Sequence, residues 1–72
     1  MQVGRFWLIT LETIDGPWHV GSTHDKCWYI VHKDTGKSKK IGPVKTRGSS
    51  NFEKAYAEAI RRNNILKAKA AA

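Results

Sequence analysis

The feature that most constrains this chain is a change of period past its middle. Before Lys45 the apolar residues alternate, or sit in short β-branched and aromatic runs closed by turn residues. After Ser49 they recur at helical spacing. Ser50 and Glu53 have the spacing of a capping box, in which the hydroxyl caps one free backbone N–H and the carboxylate reaches back to another. Phe52, Ala55, Tyr56, Ala59, Ile60 and Leu66 then fall on one stripe, with Lys54, Glu58, Arg61 and Arg62 away from it. Glu58 and Arg62 stand one turn apart in the favourable order. The helix is expected to run to about Lys67. Residues 67–72 keep helical propensity without a core stripe, so a frayed tail is expected there.

The first part reads as strands. Residues 5–13 are rich in β-branched and aromatic types, and alternation places Trp7, Ile9 and Leu11 on the cleaner core face. Asp15, Gly16 and Pro17 break that run. Trp18, His19 and Val20 form a short second strand, and residues 21–25 a connection. Residues 27–33 form a third strand, with Cys27, Tyr29 and Val31 on one side and Trp28, Ile30 and His32 on the other. Asp34, Thr35, Gly36 and Lys37 supply a tight turn, because glycine tolerates positive φ. Residues 38–41 return, and Gly42 with Pro43 is expected to stop the strand. The fold class that follows is α+β: a small antiparallel meander of three to four strands with one C-terminal helix on one face, forming a single domain over residues 1–66.

Size and charge narrow the function. A chain of 72 residues buries only roughly 60% of its unfolded surface, so its core is thin and rests on three Trp, two Tyr and two Phe. One cysteine, Cys27, leaves no internal disulfide and no multi-thiolate metal site. This composition suits a reducing, cytoplasmic setting. No stretch is long and apolar enough to span a membrane. The spacing of His19, His24 and His32 matches no compact metal motif, and these are expected to be surface or partly buried histidines. Asp15, Asp25 and Asp34 read as turn formers. Nucleophile elbows, Walker loops and Cys/His pairs are all missing, so neither an enzyme nor a cofactor is expected.

Thirteen Lys and Arg against six Asp and Glu give a formal charge of +7, an attractor for polyanions. Lys33, Lys37, Lys39 and Lys40 cluster along one hairpin, with Lys45 and Arg47 just beyond, and could follow a phosphate backbone. Trp28 and His32 share one face of the preceding strand, where an exposed aromatic could stack on a base. Two plainer readings stand beside these: lysines on an exposed strand also block edge-to-edge aggregation, and a tryptophan in so small a fold is often core. Arg61 and Arg62 read as an ordinary charged helix face.

Thr35-Gly36-Lys37, followed by Ile41-Gly42, and the later pattern Ala55, Glu58-Ala59-Ile60, Asn63, Leu66 stand in the order found in one family. With the aromatic pair Trp28-Tyr29, residues 26–66 resemble the arm-type DNA-binding domain of lambda-like tyrosine integrases. That domain is a three-stranded antiparallel sheet with a C-terminal helix, a plan similar to plant AP2 domains. The resemblance implies a sheet laid into the major groove of duplex DNA. The chain departs from it in a longer connection between Gly42 and Ala55 and in an added hydrophobic segment over residues 1–25. The leading expectation is a non-enzymatic, phage-type DNA-binding regulator of recombination or transcription. A small inhibitor or adaptor that binds a host protein, and an RNA-binding module, are the alternatives.

Overall fold

The structure is a computed structural model that describes residues 2–44 and 51–71. Five strands form one antiparallel sheet in chain order: β1 (Gln2–Val3), β2 (Phe6–Leu8), β3 (Trp18–Ser22), β4 (Cys27–His32) and β5 (Ser38–Pro43). The helix α1 (Asn51–Ala71) follows and packs on β3, β4 and β5. The sheet therefore has more strands than expected: β1 is an addition, reached through Gly4 at φ 57°. Ser50 of the expected capping box and Ala72 of the expected tail lie outside the described residues. The helix itself continues past Lys67, with the side chains of residues 67–70 exposed.

The β4–β5 hairpin forms where turn chemistry places it. Gly36 takes φ 77°, the His32 N–H donates to the Lys37 carbonyl at 2.7 Å, and the Gly36 N–H donates to the His32 carbonyl at 2.9 Å. The return strand does not stop at Gly42. It runs to Pro43, which an edge strand tolerates because no neighbour needs the missing N–H.

Directly opposed residues share a face, so the register sorts the core. Val20 opposite Ile30 forms the helix-side face, and both are fully buried with Ile14, Ala55 and Ala59. Gly21 opposite Tyr29 belongs to the other face, with Leu8 across β3. That second face carries its own core of Phe6, Leu8, Cys27, Tyr29 and Val31.

The expected core face of the first strand is inverted. Trp7 and Ile9 are 52% and 50% exposed, whereas Phe6 and Leu8 are buried. Gly21 is the cause. A Cβ there would stand 3.0 Å from Val31 Cγ2 and 3.2 Å from Leu8 Cδ2. Without one, Leu8 reaches across β3, and the Phe6 and Tyr29 rings come within 5.0 Å. The strand is also shorter than alternation suggests. The Thr13 and Ile14 N–H groups both donate to the Thr10 carbonyl, turning the chain and carrying Ile14 to the helix side.

The helix seam is smaller and more polar than its hydrophobic stripe. Asn51, Ala55, Ala59 and Asn63 recur every four residues, and all are buried. Phe52 and Tyr56 flank them, half-buried. The two alanines let the helix axis approach Val20 and Ile30 closely. Ile60, expected in the core, is 37% exposed because it sits about 100° around the helix from Ala59. Leu66 is in phase but 39% exposed, since it lies beyond Asn63, which meets the sheet at its Trp18 end.

Asn63 is the residue that fixes this arrangement. Its Oδ1 accepts the Trp18 N–H at 2.8 Å, and its Nδ2 donates to the Trp18 carbonyl at 3.0 Å. The side-chain amide thus stands in for a neighbouring strand. Truncating Asn63 to Ala strands both groups, and a loss of about 2–4 kcal/mol is expected. Ile60→Ala should lose less than about 1 kcal/mol. Urea unfolding of the two variants checks the order. A larger loss at Ile60 would place the core where the stripe puts it.

Candidate nucleic-acid interface

The four hairpin lysines are exposed, and none forms an ion pair with a described acidic residue. Lys39 stands opposite Ile30 and Lys40 opposite Tyr29, so neighbouring lysines point to opposite faces of β5. The register slips between Trp28 and Tyr29, leaving Ile41 as the extra residue and sending it toward the helix-side core. Lys33 and Lys37 bracket the turn, and the Lys33 N–H is tied to the Pro17 carbonyl at 2.9 Å. The edge strand and its turn carry charge on both faces and at the tip. Lys45 and Arg47 lie outside the described residues.

Trp28 and His32 lie on the helix-side face, as the alternation of β4 dictates. Phe52 stands edge-on to Trp28, with ring centroids 5.2 Å apart, and leaves the indole half-buried. His32 is committed to the turn: its Nδ1 accepts the N–H groups of Asp34 and Thr35 at 3.3 and 3.2 Å. Its ring meets Trp18 edge-on at 5.2 Å. Neither side chain is placed beside Lys40. His19, expected at the surface or partly buried, is instead fully buried at 1% exposure, with Nδ1 3.2 Å from both the hydroxyl and the carbonyl oxygen of Thr10. Among the described residues, no group of three or more His, Cys, Asp or Glu is placed to hold a metal ion. No helix there is long and apolar enough to cross a membrane.

The helix arginines are less available than the lysines. Arg61 and Arg62 both hold Glu58, at 2.5 and 3.0 Å. The Arg62 guanidinium also lies 4.6 Å from the Trp18 ring centroid. The Glu58 pairs lie within the helix, and the Trp18 contact joins the helix to the sheet. On the other face Asp25 accepts hydrogen bonds from the Thr23 hydroxyl, the Tyr29 hydroxyl at 2.5 Å and the Cys27 N–H at 3.2 Å. These donors, Thr23 first, hold its carboxyl below the usual range, and Asp25 in turn pushes the Tyr29 hydroxyl up.

A second feature escaped the sequence reading. A cleft of about 440 Å³ opens beside Trp28, lined also by Ser22, Thr23, Asp25, Lys26, Pro43 and Val44. Lys26 adopts φ 58°, and its backbone is held at both ends, by the Thr23 carbonyl and by the Val44 N–H. Only strand register brings Ser22 beside Trp28, so no local pattern announces the cleft.

Comparison with protein-family models, with curated proteins and with solved structures finds no match to this chain.

The Glu58 cluster gives a pH test. Its hydrogen bonds to Arg61 and then Arg62 lower the Glu58 carboxyl from an ordinary 4.5 to about 2. A carboxyl lowered on folding contributes stability that is complete above the unfolded value and is lost as pH falls through the folded one. The melting temperature should therefore drop between pH 4.5 and about 2, and Glu58→Gln should flatten part of that drop. Thermal melts across this range, followed by circular dichroism, check it. Asp25 contributes in the same direction.

Proposed function

We propose that this chain is a non-enzymatic nucleic-acid-binding protein that docks on duplex DNA through the β4–β5 hairpin, as a phage-type regulator of recombination or transcription. The observation that carries the reading is the hairpin itself: Lys33, Lys37, Lys39 and Lys40 are exposed on one rigid two-stranded element, free of ion pairs with described acids. Lys45 and Arg47 extend this charge along the chain. Phosphates would supply the affinity through release of condensed counterions. The buried Cys27 thiol is compatible with a reducing cytoplasm.

The resemblance to integrase arm domains supports the same partner but a modified pose. In that family the sheet is laid in the major groove. Here Phe6, Leu8, Val3 and Leu11 cover Tyr29, Val31 and Cys27 on the face opposite the helix. A groove-docking surface is then confined to β5 and the hairpin tip. The added N-terminal segment would turn a flat docking face into an inserted finger.

A second reading, a small inhibitor or adaptor that binds a host protein, draws on the exposed Trp7 and Ile9 and on Ile65 and Leu66. Binding to duplex DNA across a salt series separates the two. The proposal expects a steep log–log slope of about −0.9 per phosphate contact. A flat slope, or no binding at low salt, favours the protein partner. Replacing Lys37 and Lys39 with Ala should weaken binding far more than replacing Lys54 and Lys69 on the helix, although each set removes the same charge. Equal losses would show that net charge alone drives association. Arg61, Arg62 and Lys67 are unsuitable for the helix set because they hold Glu58, Trp18 and Asp15.

A further inference from the structure

Trp7, Ser22, Trp28 and Gly42 are directly opposed across four consecutive strands and therefore form one row on the helix-side face. The helix covers one end of the row. Asn51 sits where a Gly42 Cβ would stand 2.6 Å from its Nδ2, and Phe52 backs Trp28. The other end is open. Trp7 is 52% exposed although it is a large apolar side chain on a strand, and the residue that the register sets between it and Trp28 is Ser22, with its short side chain.

Two strand spacings separate the Cα atoms of Trp7 and Trp28, roughly 10 Å. Aromatic rings stack with centroids about 4.5–7 Å apart, so one planar group between the two indoles is in reach of both. The cleft is lined by Ser22 and Trp28 but not by Trp7, and it meets this space on its Trp28 side. Lys26 stands exposed on that cleft, on a backbone turn fixed at both ends, and offers an ammonium to a neighbouring phosphate; the Asp25 carboxylate on the same lining is engaged by Thr23, Tyr29 and Cys27. The Ser22 hydroxyl lies on the floor and can meet the edge of a planar ring.

We infer that this slot receives one unpaired nucleobase of a nucleic-acid strand, stacked between Trp28 and Trp7 with its phosphate at Lys26. The inference rests on the nucleic-acid reading above and adds to it. The hairpin lysines hold the duplex, and the slot takes a base at a junction, bulge or single-stranded end. Stacking between indoles fits any base, so the slot recognises an unpaired base without reading its identity.

The test uses three labelled DNAs and the full chain in fluorescence anisotropy at low salt. One is a short blunt duplex, one the same duplex with a single-stranded extension, and one carries that extension built of abasic sugars. The base-bearing extension should bind about tenfold tighter than the abasic one. Trp7→Ala removes one wall and Ser22→Leu fills the floor. Each should bring that ratio close to one while leaving the melting temperature and blunt-duplex affinity nearly unchanged, and Trp7→Phe should restore part of the ratio. Equal binding of the two extended DNAs by the unaltered chain, with the blunt duplex still bound, overturns the slot alone. A ratio that survives both Trp7→Ala and Ser22→Leu overturns it too. Failure to bind any of the three DNAs brings down the nucleic-acid reading and the slot with it.

Discussion

The fold depends on two asparagines that fasten the helix to the sheet, each against a glycine. Asn63 pairs with both backbone groups of Trp18 and fills the space over Gly16, where a Cβ would come within 2.5 Å of its Cγ. Asn51 fills the space over Gly42 and donates to the Pro43 carbonyl at 2.9 Å. These latches stand twelve residues apart on the helix, about 18 Å along its axis. Between them run Ala55 and Ala59, side chains too small to specify register by shape. Burial of apolar surface drives the docking, but directional hydrogen bonds at the two ends set where it stops. Gly16, at φ 132°, serves both the turn and the close approach.

The rest follows from how this seam orients the sheet. With the helix anchored over β3, β4 and β5, the open row through Ser22 and Trp7 is left beside it. The opposite face closes on itself over Gly21, where Leu8 and Phe6 reach Val31 and Tyr29. Both faces of the central strands are occupied, one by the helix and one by the N-terminal segment. The β4–β5 hairpin is the part of the sheet where lysines go uncovered on either side. A thin core in a small domain thus leaves one element open to contact while fixing its turn end through Pro17 and Trp18.

What was legible in the sequence was local. The alternation of Cys27, Tyr29 and Val31 against Trp28, Ile30 and His32 gave the correct faces because β4 lies inside the sheet and is buried on both sides. The turn at Gly36 and the helix after Asn51 also follow from neighbouring residues. Non-local effects were not legible. Trp7 and Phe6 exchanged places because of a glycine on another strand, and hydrophobicity alone could not rank the two faces of a strand apolar on both. Asn63 looks polar and solvated until Trp18, forty-five positions away, supplies its partners. Ile60 misled for the converse reason: an apolar side chain at the edge of a stripe is buried only if the sheet extends beneath it. At the candidate site the lysines were legible as charge, while their division between two faces needed the register of β5.

The central claim is that the hairpin, rather than the charged helix, meets the nucleic acid. The most direct measurement is a titration of the isotopically labelled chain with a short DNA duplex at low salt, following backbone amide shifts by NMR. The account predicts that the perturbations concentrate at Lys33, Lys37, Lys39 and Lys40 and spare Lys54 and Glu58 on the outer face of α1. Perturbations centred on the outer face of the helix, with the hairpin amides unmoved, would contradict it.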